Sequence, residues 1–494
     1  LQNDDRATTG GLPLQNDDRA TTGGLPLQND DRATTGGLPL QNDDRATTGG
    51  LPLQNDDFRR GSAPVPALPA IHIQHLAFTP EQHQQLNRDI ATYLSDYGKP
   101  TWGEALSHRL VTLAASLQLN QTLAALPPTI EKIILIPHRD LHLLPLHALP
   151  ATRNLPNGET KTGYLLDLYT NGIQYSPSSQ FLERLHQRKR PPLNDILPLF
   201  AIQNPTEDLR YTEIEVEEIS RRFNPNAHIL KRQQATKIAF NSAATLKKLT
   251  DSHYAHFSCH GSFNSANPLN SGLVFAGILE PPQSGAGTGA GAGTGAPPLL
   301  KQEAEVEEEP SQSGAGTGAP PLPKQEAEAE ACSYVTLRDG RRFRTDLQCL
   351  TLKEIFASLD LPLCRLVSLS ACETGLVTRV ITDEYIGLAS GFLYAGASNV
   401  VSSLWRVSDF STAFLMIRFY QNLNNPDLSV CQALQAAQIW LRTITRQDFL
   451  AWLTNEVKMA EDPVDNIAIL LRRSFANQPF ADPQYWAAFC AIGI

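Results

Sequence analysis

Apolar positions follow two rhythms along the chain. Between residues 80 and 126 they recur at three- and four-residue steps, with Leu106, Leu110, Leu113 and Leu117 on one stripe. That is the spacing of a helix that buries one face. Thr79-Pro80-Glu81 reads as its start, a capping hydroxyl followed by proline in the first turn. Pro127-Pro128 ends it. Beyond that point the apolar residues come in short unbroken runs at 132–137, 199–202, 254–258, 272–276, 365–370, 399–404 and 486–492. Helical stretches lie between them at 213–223, 352–359, 386–396, 412–423 and 428–443. Short apolar strands alternating with helices predict an α/β fold built on a mostly parallel sheet covered on both faces.

Two of the runs end in reactive side chains. Tyr254-Ala-His-Phe-Ser-Cys-His260-Gly261 delivers an imidazole, and Arg365-Leu-Val-Ser-Leu-Ser-Ala-Cys372-Glu-Thr-Gly375 delivers a thiol. In open α/β sheets, ligands meet catalytic groups at the carboxyl ends of parallel strands. A Cys and a His brought together there make a nucleophile and its base. Each has an ordinary reading as well. A strand-end histidine is commonly a core group bonded to a carbonyl, and a cysteine commonly packs as a small apolar residue. Gly261 tilts the first case, because glycine after the His lets the backbone turn sharply and exposes its N–H. The turn after Cys372 tilts the second, because a thiol at a sheet's edge is open to deprotonation. Cys259 faces the other side of its strand and is expected to be inert. Asp383 and Glu384 precede a helix and suit its first turn; the functional alternative is an acidic wall for a basic substrate side chain. No third, orienting acid can be named from the sequence.

Two segments are not foldable on composition. Residues 1–57 hold four copies of Leu-Gln-Asn-Asp-Asp-Arg-Ala-Thr-Thr-Gly-Gly-Leu-Pro and the start of a fifth. Each copy buries too little to offset its ordering entropy, so disorder is expected. Residues 281–332 alternate Gly/Pro-rich and acidic stretches, a flexible insertion. Its glycines between 285 and 295 fall on every second residue, which excludes a Gly-x-Gly-x-x-Gly loop. The net charge of −10 comes from these segments: four Arg against ten Asp in the first, two Lys against eight Glu in the second. The rest is nearly neutral, so neither a nucleic-acid nor a membrane partner is expected. Seven cysteines without a Cys-x-x-Cys pair argue against zinc and a disulfide framework, and suit a reducing cytoplasm. No run approaches the roughly 18 apolar residues of a membrane span.

The order of motifs resembles the CHAT domain, a caspase-like domain associated with tetratricopeptide repeats and related to separases and caspases. The resemblance runs through Ile136-Pro-His-Arg-Asp-Leu-His-Leu-Leu-Pro-Leu-His-Ala-Leu149, Tyr175-Ser-Pro-Ser178, Asn204-Pro205, His256-Phe-Ser-Cys-His-Gly261 and Pro268-Leu-Asn-Ser-Gly-Leu273. It continues through Leu350-Thr-Leu-Lys-Glu-Ile355, Leu369-Ser-Ala-Cys-Glu-Thr-Gly375, Asp383-Glu-Tyr-Ile-Gly-Leu388, the run from Ala395 to Trp405, and Tyr485-Trp-Ala-Ala-Phe489. It implies a caspase-like α/β fold over 129–494, interrupted at 281–332 and preceded by a helical lead-in at 58–128. It also implies a Cys–His dyad of His260 and Cys372, with the backbone N–H groups of Gly261 and Cys372 as oxyanion donors. The implied activity is that of a cysteine endopeptidase without cofactor or metal, acting on a partner protein or on itself in signalling or stress response. The rival reading is a catalytically silent scaffold that binds a regulatory partner. Lys301, Lys324 and the basic cluster at 338–344 are the expected places for self-cleavage. Tetratricopeptide repeats usually precede such a domain, whereas about 70 non-repetitive residues precede the first motif here.

Overall fold

Eight strands build the central sheet: β1 (Ile133–Leu135), β2 (Ile173–Tyr175), β3 (Leu199–Gln203), β4 (Ala227–Lys231), β5 (Tyr254–Ser258), β6 (Leu366–Ser370), β7 (Asn399–Ser403) and β8 (Phe489–Gly493). Their order across the sheet is β1-β2-β8-β7-β6-β5-β3-β4. Every neighbouring pair is parallel except β7 with β8. The mostly parallel α/β sheet read from the apolar runs is therefore present. β5 and β6 lie side by side, in register from Tyr254↔Leu366 to Ser258↔Ser370. The computed structural model describes residues 73–188, 197–264, 267–277, 334–336, 341–371, 378–379, 385–472 and 476–494. Contacts divide the chain into Leu1–His75 and Leu76–Ile494. Of the first unit only residues 73–75 are described, and the sheet belongs wholly to the second.

The single helix expected over 80–126 is three: α1 (Pro80–Asp96), α2 (Trp102–Ser116) and α3 (Leu119–Ala124). Gly98 takes a φ of +84° and Gln118 one of +50°, left-handed positions at which a helix cannot continue. The Leu stripe survives the break, since Leu106 and Leu110 are fully buried. At the start of α1, Thr79 accepts from the Gln82 N–H while the Gln82 side chain accepts from the Thr79 N–H, a reciprocal cap.

Further helices cover the sheet: α4 (Arg210–Arg221), α5 (Ala243–Thr250), α6 (Leu352–Ser358), α7 (Leu388–Ala395), α8 (Asp409–Asn422) and α9 (Val430–Thr443). Alternate residues of β5 sort to the two faces, as strand geometry requires. Tyr254 and His256 meet the ring of Tyr420 on α8, and Phe257 meets Phe392 on α7. On the Tyr420 face, α4 packs on α8 through Tyr211 and Phe410, ring centroids 4.8 Å apart. On the Phe392 face, α6 meets α7 through Phe356 and Tyr394. Gly396 closes α7 at a φ of +128°, and a Cβ there would stand 2.7 Å from the Leu361 backbone. Only glycine allows the chain to turn this tightly into β7.

A smaller antiparallel sheet follows directly on β5. Gly261–Ser262 pairs with Gly272–Val274, which pairs with Cys349–Thr351. Beside it stands a hairpin of Tyr334–Thr336 and Arg342–Arg344. Among the described residues no helix is long and apolar enough to cross a membrane.

Candidate functional site

The carboxyl end of β5 is tied down from α4. Glu215, fully buried, accepts from the Ser258 hydroxyl at 3.0 Å through one oxygen. Its other oxygen lies 3.0 Å from His256 Nε2, an ion-pair contact off the angle of a hydrogen bond. The Ser258 carbonyl accepts from the Asn204 N–H at 2.9 Å, which joins the end of β5 to the loop leaving β3. His260 therefore begins two residues past a clamped strand. Its own carbonyl accepts from the Val274 N–H at 2.8 Å, the first rung of the small sheet.

The loop after β3 is shaped by its own side chains. Asn204 sits at a φ of +45°, a conformation asparagine tolerates. Its Oδ1 accepts from the Leu209 N–H at 3.1 Å, and its Nδ2 donates to Glu213 at 3.2 Å. Glu213 is held in turn by Arg232. The loop so fixed presents Asp208 to the imidazole: Asp208 Oδ2 lies 2.8 Å from His260 Nε2. Thr206 donates its hydroxyl to Asp208 Oδ1, and Arg341, at the start of the hairpin's second strand, donates to Oδ2. Burial pushes the Asp208 carboxyl up. The hydrogen bonds from His260 and Thr206, the charge of the imidazole and the bond from Arg341 outweigh it and hold the group well below the usual carboxylate range. His260 is mostly buried, with 17% of its side chain exposed, and Asp208 is part-buried beside it.

Of the residues singled out in the sequence, His260 stands at the end of β5 and Gly261 opens the strand that follows. Gly261 is not among the residues with left-handed φ, so the expected sharp turn is instead a continuation into the small sheet. Cys259 is buried, as expected. Cys372, Asp383 and Glu384 lie outside the described residues, as do Lys301, Lys324 and Arg338. What is described on the thiol's side is the approach: β6 runs to Ser370, and Ala371 gives its carbonyl to the Ser403 hydroxyl at 2.7 Å. Asp208 was not found from the sequence. A signal was there, in an acid six residues past the apolar run that Asn204-Pro205 closes, and the missing fact was that β3 borders β5. Among the described residues no group of three or more His, Cys, Asp or Glu is arranged to hold a metal.

A family model described as "CHAT domain" matches residues 104–284 and 314–494, with its gap inside the biased stretch 281–332. No curated protein matches the chain. Solved structures similar to it include the Saccharomyces cerevisiae separase–securin complex at 2.6 Å resolution, with 13% identity and a TM-score of 0.36 over 78% of this chain and 17% of the other. The same complex at 3.0 Å resolution has 12% identity and a TM-score of 0.37 over 83% and 20%. The chain thus spans a fifth or less of the length of those separase chains.

Proposed function

Since the chain belongs to the CHAT domain family, we propose that it is a cysteine endopeptidase that cleaves a peptide bond in a partner protein, or in itself, through Cys372 and His260. One observation carries this reading. The parallel register of β5 on β6 runs without a break to Ser258↔Ser370, and each strand then stands two residues short of its reactive group. His256 packs on the Tyr420 ring, and its register partner Ser368 accepts from the Tyr420 hydroxyl at 3.0 Å, so the paired strands share one face up to their ends. The chain bends at Cys259 and at Ala371, and the meeting of Cys372 with His260 beyond those bends is the proposal itself.

In this reading His260 takes the Cys372 proton and the thiolate adds to the peptide carbonyl. The N–H groups of Gly261 and Cys372 receive the developing oxyanion. The protonated imidazole then gives its proton to the leaving amine, and water hydrolyses the thioester. Asp383 and Glu384 would favour a basic residue before the cleaved bond. Action in signalling or stress response, in the cytoplasm, belongs to the same proposal. A peptide library incubated with the wild type and with Cys372→Ala tests it. The expected outcome is hydrolysis that falls by about a thousandfold or more in the variant. Equal, near-background rates would leave a silent scaffold, and an ordinary, slow alkylation of Cys372 by iodoacetamide at neutral pH would agree with that outcome.

A further inference from the structure

The geometry points to Asp208 as the positioning residue of His260: its carboxylate holds the imidazole by Nε2 and so assigns Nδ1 as the atom that takes a proton, with Arg341 setting how strongly the carboxylate pulls. The inference rests on the peptidase reading for its catalytic meaning, but the Asp208–His260 unit stands on contacts of its own.

A neutral imidazole carries one N–H and one lone pair, and its partner decides which nitrogen has which. Asp208 is ionised throughout the neutral range and has no proton to give, so at 2.8 Å it can only accept. Nε2 must then carry the hydrogen, and Nδ1 is left with the lone pair. The carboxylate is itself held in place. Thr206 donates to its other oxygen, and Asn204 bonds both ends of the loop that carries it. The ring is fixed from two sides, since its loop partner leaves β3 and its own carbonyl accepts from the Val274 N–H. A ligating or catalytic imidazole oriented in this way by a second group is a recurring arrangement in Cys and Ser nucleophile sites.

Arg341 gives the unit a second feature. It donates to the same oxygen as His260, and it lies on the hairpin that emerges from the 281–332 stretch. Two donors therefore share one carboxylate oxygen. A positive neighbour on Asp208 weakens its attraction for an imidazolium, so the charge of Arg341 and the carboxylate of Asp208 act on the ring in opposite directions. Of the other charged groups nearby, Glu213 is paired with Arg232, and Glu215 lies in the interior, bonded to the Ser258 hydroxyl and 3.0 Å from His256 Nε2.

The test uses the full-length chain and three variants, Asp208→Asn, Asp208→Glu and Arg341→Gln. Deuterium exchange at the imidazole C2 position, read by mass spectrometry across pH, follows the protonation of His260 separately from the other histidines. Hydrolysis of the best library peptide gives kcat and KM on the same samples. In Asp208→Asn the His260 exchange midpoint moves to lower pH, and kcat falls about 10- to 100-fold with KM within about twofold. Asp208→Glu restores the midpoint towards wild type and recovers most of kcat. Arg341→Gln moves the midpoint to higher pH, and the acid limb of hydrolysis follows it. Midpoints that coincide in wild type, Asp208→Asn and Arg341→Gln overturn the assignment. Should Asp208→Asn fail to fold, the Arg341→Gln midpoint decides alone. If wild type shows no Cys372-dependent hydrolysis the peptidase reading falls, while the exchange midpoints still support or overturn the role of Asp208.

Discussion

At the scale of single residues, burial separates the cysteines by what they can do. Cys349, Cys364 and Cys490 are buried, and burial pushes each thiol up to about 12. A thiol with that value is almost wholly protonated at pH 8 and unreactive, because the thiolate is the nucleophile. Folded protein treated with iodoacetamide at pH 8 is therefore expected to leave these three unmodified over the time in which they react fully in urea-unfolded protein, as read by peptide mass spectrometry. Modification of Cys364 or Cys490 at the same rate in folded and unfolded protein would contradict it. The same scale shows what sequence can and cannot reveal of a site. His260 and Gly261 were legible because a reactive group ends an apolar run, a pattern confined to one strand. Asp208 was not, because its meaning depends on which strand lies beside β5, and neighbourhood is a property of the sheet order rather than of local spacing. Glu215 escaped for a related reason: it reads as one more acid in a polar helix, and nothing in the helix's own pattern says that His256 and Ser258 wait opposite.

At the scale of elements, the strands that carry an apolar run were legible, the three-residue β1 among them, and those without one were not. β3, β5, β6 and β7 lie in the sheet's interior, buried on both faces, and their sequences show it. β4 is an edge strand, only part-buried, and its Ala-His-Ile-Leu-Lys lacks the signature. β2 has three residues, too few for any periodicity. The joint between α4 and β5 is the element-scale feature on which the candidate site most depends. Glu215 is the only described side chain bonded to the Ser258 hydroxyl, and removing it leaves that hydroxyl and His256 buried and unmatched. Leaving a buried hydrogen-bonding group unmatched costs about 1–3 kcal/mol. Glu215→Ala is thus expected to lose about 1–3 kcal/mol in urea unfolding, and Glu215→Gln less, since an amide oxygen still accepts from Ser258. Equal stability of Glu215→Ala and wild type would show that the clamp is not what holds the end of β5.

At the scale of the whole molecule, segments far apart in the chain meet around His147. Its ring Nδ1 lies 2.9 Å from the Tyr175 hydroxyl on β2 and 3.8 Å from the Cys490 sulfur on β8. Gln438 of α9 lies 3.3 Å from its Nε2 and also donates to the carbonyls of Trp486 and Phe489. The ring is buried, and burial pushes His147 down to about 3, opposed by the Ala487 backbone. The sign of the pH effect follows from counting protons. In the unfolded chain this histidine takes up a proton near its ordinary 6.5, whereas the folded protein keeps it neutral down to about 3. Between those values the unfolded state binds the extra proton, so stability falls as pH falls, by up to about 1.4 kcal/mol per pH unit. From pH 6.5 to pH 5, above the range in which most carboxylates titrate, this one group removes about 2 kcal/mol. His142, pushed down to about 4 mainly by burial, acts in the same direction. His147→Gln keeps a polar group for Tyr175 and Gln438 but cannot take up a proton. Urea unfolding of the two proteins at pH 7 and pH 5 should show the variant losing about 2 kcal/mol less than wild type over that interval. An identical loss in both would mean that the acid sensitivity of the fold resides elsewhere.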